Sequence, residues 1–185
     1  KMLGVSKEKG QAVIDAFWDS NQGLKAVKEY VEGYWERSGK KYIRGIDGRK
    51  IYTRSKSSLV NALFQSCGSL IMFLSGLFMY DALKREGLID KGVVRLAFVH
   101  DEYQYEVPNE LIETYSFETK EEAESFSIEG KLLSNVAKVD EKFVRYYSRV
   151  GVLGDWSLQQ AGKYFKLPLP FNAAYDIGNN LAETH

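Results

Sequence analysis

The chain has 185 residues, and its 25 Lys and Arg residues balance its 25 Asp and Glu residues, so the formal net charge is zero. This length suffices for about one domain with a buried core, and the neutral charge gives no global argument for nucleic-acid binding. Cys67 is the only cysteine, which excludes an internal disulfide and a cysteine-based zinc site and fits a reducing, cytoplasmic setting.

Two amphipathic helices are predicted at the start of the chain. Ser6 can cap a helix over 6–20, and a second helix over 21–38 ends at Gly39, because glycine commonly ends helices. Apolar and aromatic residues fall near helical spacing in both. We expect these aromatic residues to form core rather than a stacking surface.

A β-hairpin is predicted over 42–54, where Asp47-Gly48 separates two short runs of strand-forming residues. The segment 37–56 around it is basic, with Asp47 as its only acid. Its basic residues are Arg37, Lys40, Lys41, Arg44, Arg49, Lys50, Arg54 and Lys56. A locally basic segment can bind phosphate even on a neutral chain, although many charge runs are only solvated surfaces.

A long helix is predicted over 55–86, ending near Gly87. The stretch 57–80 carries no charge and is long enough to span a bilayer. Polar residues interrupt it, however, which favours a buried helix inside a soluble protein.

Four polar residues along this helix, Ser57, Asn61, Gln65 and Ser69, are spaced four apart and therefore lie roughly on one face. Buried amides without partners cost about 1–3 kcal/mol. Two interpretations stay open: the amides of Asn61 and Gln65 bond to neighbouring backbone, or they face a ligand.

A second hairpin is predicted over 93–107. An apolar run leads into His100-Asp101, after which Tyr103, Tyr105 and Val107 alternate with polar residues. His and Asp tolerate tight-turn backbone better than Val or Phe. The pattern therefore predicts two acids, Asp101 and Glu102, at or beside a hairpin tip.

The rest of the chain is harder to interpret. We expect 108–154 to be mainly helical because it is rich in acids, with breaks at Gly151 and Gly154. A short helix over 157–166 and a last strand over 172–177 follow.

Four motifs, in this order, resemble the C-terminal part of family A DNA polymerases, the Pol I and phage replicative type. They are Gly-Ile-Asp-Gly-Arg-Lys at 45–50, Asn61 with Gln65, Val99-His-Asp-Glu-Tyr-Gln104, and the ending from Tyr175 to His185. The resemblance implies an α/β fold in which an antiparallel palm sheet with a catalytic hairpin packs on long helices, as an incomplete palm and fingers. Residues 1–41 would be fingers-derived helices, and 42–185 the C-terminal part of the palm.

The resemblance also implies roles for the residues at the hairpin tip. Asp101 would be one of two aspartates that bind Mg²⁺ in a two-metal site, and Glu102 would be a supporting acid at the same metal site. His100 would lie near the primer terminus. The implied reaction is template-directed nucleotidyl transfer from deoxynucleoside triphosphates to a DNA primer-template.

The DNA-contacting residues follow from the same resemblance. Asn61 and Gln65 would contact the minor-groove side of the nascent duplex, where every base pair offers an acceptor. The backbone phosphates would be held by Arg44, Arg49, Lys50 and Arg54. Ser57 stands where many relatives carry a basic residue, so one contact is expected to be missing.

The resemblance implies that the first palm aspartate and the nucleotide-binding fingers helix would lie outside this sequence. We therefore expect the isolated chain not to extend primers, and to need an N-terminal fragment or the rest of its own polypeptide. A large apolar face would then be exposed. The expected setting is the cytoplasm of a bacterial or phage-infected cell, with no membrane partner.

Two other classes of function remain. A metal-dependent hydrolase could use His100, Asp101 and Glu102, but it would need further ligands such as Glu106, Glu110 or Glu113. A non-catalytic DNA-binding or scaffold remnant of a polymerase would retain salt-sensitive DNA binding without activity.

Overall fold

The structure is a computed structural model that describes residues 6–180 and residue 183. It divides into two compact units, one within residues 1–68 and one within residues 69–185. Most of the ending motif is described, but its terminal His185 lies outside the described residues. The predicted α/β class is confirmed in its coarse form, since helices alternate with small antiparallel sheets.

The first unit consists of two helices and a hairpin, as predicted. They are α1 (Lys7–Ser20), α2 (Gln22–Arg37), β1 (Tyr42–Arg44) and β2 (Lys50–Tyr52), followed by a 3₁₀ turn at Lys56–Ser58. The Ser6 side chain caps α1 by accepting the Lys9 N–H at 3.3 Å. The long helix α3 (Leu59–Arg85) begins in this unit and ends in the second.

The core of the first unit is small. Val31 and Trp35 of α2 pack with Ile43 of β1 and with Leu59. The expectation that the apolar residues of both helices are core is wrong for α1, which has no buried residue; Phe17, for example, is about half exposed.

The second unit contains the rest of α3, two sheets and a final helix. Its elements are β3 (Val94–Val99), β4 (Glu102–Glu106), β5 (Ile112–Phe117), α4 (Lys120–Ser125), β6 (Ala137–Val139), β7 (Lys142–Ser148) and α5 (Arg149–Tyr164). Strands β3 and β4 form one antiparallel sheet, and a second has the order β5-β7-β6. Met79 and Leu83 of α3 pack against Val150 and Leu153 of α5 in the core.

The prediction that 108–154 is mainly helical is wrong. It contains three strands, β5, β6 and β7, with the short helix α4 between the first two and the start of α5 at its end. Acidic composition favoured helix, but Tyr, Phe and Val are the residues that pack well on a paired strand. Pairing across the sheet therefore decided the local structure.

The glycine breaks and the last strand were also predicted wrongly. Helix α5 begins at Arg149 and runs through Gly151 and Gly154 without interruption. Residues 172–177 form no strand; instead Tyr175 packs against Gly151, where an added Cβ would lie 2.5 Å from the tyrosine ring. A glycine inside a helix costs about 1 kcal/mol relative to alanine, and here it makes room for an aromatic ring.

Helix α3 is more exposed than expected. The span Lys56–Arg85 is long and apolar enough to cross a membrane by length and composition alone, and 22% of its most apolar window is buried. In the second unit Ile71, Ser75 and Met79 are buried, whereas Phe73 and Leu77 are more than half exposed. The expectation of a buried helix is therefore wrong for most of this span, and composition alone does not say what covers the open face.

Candidate functional site

The hairpin β3–β4 positions the candidate metal-binding acids. Val99 pairs with Glu102, so the turn contains only His100 and Asp101. His100 has a backbone φ of 54°, a left-handed conformation that His adopts more readily than β-branched residues. The predicted hairpin and its tip are confirmed.

Tyr103 and Tyr105 anchor this hairpin. The Tyr103 hydroxyl donates a hydrogen bond to the Met72 carbonyl of α3, and an added Cβ at Gly76 would lie 2.5 Å from that hydroxyl oxygen. Tyr105 packs against the core of the second unit. Burial raises the pKa of both phenols, so both stay neutral at physiological pH. The hairpin is thus held through two side chains of β4, one of them close to the tip.

The side chains at the tip differ in their surroundings. His100 and Asp101 are exposed, whereas Glu102 is partly buried and accepts a hydrogen bond from the Gln104 amide at 3.1 Å. Between residues 6 and 180, no group of three or more His, Cys, Asp or Glu side chains is arranged to hold a metal ion. The oxygens of Asp101 and Glu102 are hard ligands of the type that Mg²⁺ prefers, but two carboxylates alone do not make a magnesium site.

The arginines of the basic hairpin β1–β2 contact neutral as well as charged groups. Arg44 donates to the Tyr34 hydroxyl at 3.2 Å, and this bond raises the pKa of the guanidinium. Arg49 lies 3.3 Å from an Asp47 carboxylate oxygen and donates to the Ser66 hydroxyl of α3 at 3.2 Å.

The other two basic candidates are Lys50 and Arg54. The Lys50 ammonium lies 4.7 Å from the centre of the Tyr42 ring, and Arg54 is exposed. The structure therefore brings Arg44, Arg49 and Lys50 together on one hairpin.

Asn61 and Gln65 are both exposed in the first turns of α3, four residues apart and so on one side of the helix. Within the described part of the chain, neither amide makes a hydrogen bond. The interpretation that they bond to neighbouring backbone is therefore wrong, and so is the premise that they lie in a buried stripe. Both amides are open to a ligand.

One group of residues was missed at the level of sequence. Tyr42 and Tyr52 are directly opposite each other in the register of β1 and β2, and Tyr34 of α2 lies beside Tyr42. Arg44 pairs with Lys50, so residues 45–49 connect the strands. A two-residue turn at Asp47-Gly48 would instead pair Tyr42 with Thr53, and a register shift of one residue moves side chains to the other face. The sequence signal for the hairpin therefore did not place both strand tyrosines on one face.

No protein-family model matches the sequence. The chain is similar to the DNA-directed DNA polymerase of Escherichia phage T7, with 29% identity over 138 residues, which covers 66% of this chain and 20% of the polymerase. It is also 28% identical over 138 residues to the DNA-directed DNA polymerase of Enterobacteria phage T3, again covering 66% of this chain and 20% of that protein. The chain thus spans about one fifth of the length of these curated relatives, and the similarity relates it to phage DNA-directed DNA polymerases.

Proposed function

We propose that this chain is the C-terminal portion of a family A DNA-directed DNA polymerase and takes part in template-directed nucleotidyl transfer. The observation that carries the proposal is an exposed carboxylate, Asp101, fixed at a two-residue hairpin turn in a chain similar to phage DNA polymerases. On this proposal the hairpin β3–β4 belongs to the palm, and α1 and α2 derive from the fingers.

Asp101 and Glu102 would hold Mg²⁺ together with ligands from outside the described residues. Two such ions, when bound, activate the primer 3′-hydroxyl and neutralise charge on the departing pyrophosphate. The chain's own contribution is positional, because the Tyr103 anchor restricts how far the Asp101 carboxylate can drift. His100, in the same turn, would face the primer terminus.

The first unit would bind the primer-template. The exposed amides of Asn61 and Gln65 can donate to minor-groove acceptors, which are present at every base pair and carry little sequence information. Arg44, Arg49 and Lys50 would contact phosphates, and the exposed Arg54 would add a fourth cation. Neither kind of contact depends on sequence, which suits an enzyme that copies any template.

The remaining polymerase functions would come from other residues. Because the chain spans 20% of the related polymerases, a second metal-binding carboxylate and the triphosphate-binding helix would be supplied by the same longer polypeptide or by a partner. On this proposal the 185-residue chain alone does not extend primers.

The test uses the native species that contains this chain, purified with whatever it is joined to. Extension of a labelled primer by this species with Mg²⁺ and deoxynucleoside triphosphates should fall about a hundred-fold or more in an Asp101→Asn variant, because a charge that holds the metals is lost. Glu106→Gln is the matched control, since it neutralises an exposed carboxylate elsewhere on β4. Wild-type extension by Asp101→Asn would reject the proposal.

The same assay separates the alternatives. A scaffold remnant would bind DNA but show no Asp101-dependent extension in any assembly. A hydrolase would need more ligands near the tip, yet Glu113 is engaged by Lys131 at 2.7 Å and by the Tyr115 hydroxyl. Hydrolysis that requires Asp101 without extension would favour that class.

A further inference from the structure

The outer face of the hairpin β1–β2 has an unusual composition. In the strand register Tyr42 is opposite Tyr52, and Arg44 is opposite Lys50. Residues two apart on a strand point to the same side, so these four side chains share one face. Ile43, which is only 1% exposed, occupies the other face and packs into the core.

Three tyrosines form a continuous row there, which we call the tyrosine row: Tyr34, Tyr42 and Tyr52. The ring centres of Tyr34 and Tyr42 lie 6.1 Å apart, and those of Tyr42 and Tyr52 lie 5.9 Å apart. Tyr52 ends the row and is 73% exposed. One aromatic ring is therefore open to a ligand, supported by a second that is partly buried.

Cations surround the row. The Lys50 ammonium lies 4.7 Å and the Arg44 guanidinium 5.8 Å from the Tyr42 ring centre, and the Arg37 guanidinium lies 5.9 Å from that of Tyr34. Arg44 and Lys50 are directly opposite like charges, a destabilising arrangement in a sheet. In the part of the chain that the structure describes, no acid forms an ion pair with either. The face therefore lacks an anion that would complement it.

Hairpin packing alone does not explain this face. Cross-strand tyrosine pairs do stabilise hairpins, but that role calls for neither an uncompensated pair of cations nor a ring left 73% exposed. Aromatic rings flanked by Lys and Arg are the surface on which unpaired bases stack while their phosphates meet the cations.

We propose that the tyrosine row, with Arg37, Arg44 and Lys50, binds single-stranded DNA, with an unpaired base stacked on Tyr52. The inference rests on the proposed function for the identity of that strand, which would be the unpaired template. Stacking tolerates any base, because every base has an aromatic face, so this site would not restrict which template is copied.

The test is DNA binding by the 185-residue chain, measured by fluorescence anisotropy with two probes. One is a labelled oligothymidylate, and the other is a blunt duplex of the same length. Tyr52→Ala should weaken binding of the oligothymidylate about ten-fold and leave duplex binding within about two-fold of wild type. Tyr52→Phe should retain wild-type binding, whereas Tyr52→Leu should behave like Tyr52→Ala because it keeps apolar bulk without a ring.

The matched control is Tyr30→Ala. Tyr30 is 68% exposed on α2 and has no ring contact with the tyrosine row, so its removal should not change binding to either probe. Far-ultraviolet circular dichroism of each variant checks that the exposed substitutions leave the fold intact.

The following results would contradict the inference. Unchanged oligothymidylate binding in Tyr52→Ala, or an equal loss for both probes, would reject stacking on Tyr52. Absence of any binding by the folded wild-type chain would reject the site altogether. This outcome is separable from primer extension. Tyr52-dependent binding without Asp101-dependent extension would support this site and reject the polymerase function. Asp101-dependent extension without Tyr52-dependent binding would support the polymerase function and reject this site.

Discussion

The neighbouring carboxylates at the hairpin tip, Asp101 and Glu102, differ in their surroundings. Asp101 is exposed in the turn, whereas Glu102 lies on the strand and accepts a hydrogen bond from Gln104. A metal ion can reach Asp101 without breaking an internal hydrogen bond of this kind. This difference explains why Asp101 rather than Glu102 is the sharper target for mutation, although both would contribute oxygens to the proposed site.

Glu86 and Arg149 form an ion pair in the second unit with two hydrogen bonds. The two guanidinium nitrogens donate to the two carboxylate oxygens at 2.9 and 2.7 Å. This bond lowers the pKa of the Glu86 carboxyl. A carboxyl whose pKa is lower in the folded state contributes stability at neutral pH, and it loses that contribution as the pH falls through its folded pKa.

We predict that Glu86→Gln lowers the free energy of unfolding at pH 7 by less than about 1 kcal/mol, because both partners are partly exposed and solvent screens them. The difference from wild type should shrink below the ordinary Glu pKa of about 4.3 and disappear in stronger acid. Urea unfolding of both proteins across this pH range is the measurement. Glu110→Gln is the control, because Glu110 is exposed and forms no ion pair within the described residues; an equal effect of the two substitutions would contradict the assignment.

In helix α5, Gly151 leaves room for the ring of Tyr175, a residue that follows the helix in the sequence. The Tyr175 hydroxyl accepts the Ser148 N–H at 3.1 Å and lies 3.0 Å from the Leu132 carbonyl oxygen. These bonds hold the Tyr175 ring against Gly151, so the ring cannot move aside for a larger residue. Gly154, one turn later in the same helix, has only the Met79 methyl at 4.0 Å from an added Cβ.

We predict opposite effects of the same substitution at these two glycines. Gly151→Ala should destabilise the protein by about 1–3 kcal/mol, since the new Cβ meets a fixed ring. Gly154→Ala should be neutral or stabilise it by up to about 1 kcal/mol, since alanine is the better helix former and finds room. Thermal unfolding of both variants is the measurement. Equal stability of the two would show that the Tyr175 ring is not held against Gly151.

Local signals predicted the elements that depend on neighbouring residues. Asp47-Gly48 and His100-Asp101 predicted both hairpins, and Ser6 predicted the start of α1. Composition failed for β5 and β7, because their residues become strand only when paired across more than twenty intervening positions.

The candidate site was likewise predictable only where neighbouring residues determine the local structure. The position of Asp101 follows from a two-residue turn, which the sequence encodes locally. The exposure of Asn61 and Gln65 depends on which face of α3 is covered, and helix periodicity alone does not determine this when nearly every side of the helix is apolar. The tyrosine row required the strand register together with the position of α2.

The second unit exposes several large apolar side chains. On β3, Val94, Leu96 and Phe98 are 51%, 58% and 44% exposed, and on α3 Phe73 and Leu77 are 63% and 52% exposed. Strand β3 is also an edge of a two-stranded sheet, and exposed apolar edges are templates for pairing with another chain. This surface fits the proposal that further polypeptide covers the chain, whose similarity extends over 20% of the related phage polymerase.

We therefore predict that the purified 185-residue chain self-associates as its concentration rises, because no other polypeptide covers these residues. Leu96→Lys should shift the population toward monomer in analytical ultracentrifugation, since an edge lysine resists strand pairing. Asn109→Lys adds the same charge at an exposed polar position and should leave association unchanged. If Leu96→Lys and wild type associate equally, β3 is not the associating edge, and the open face of α3 around Phe73 becomes the region to test. If the wild-type chain stays monomeric at all concentrations, its exposed apolar residues require no partner.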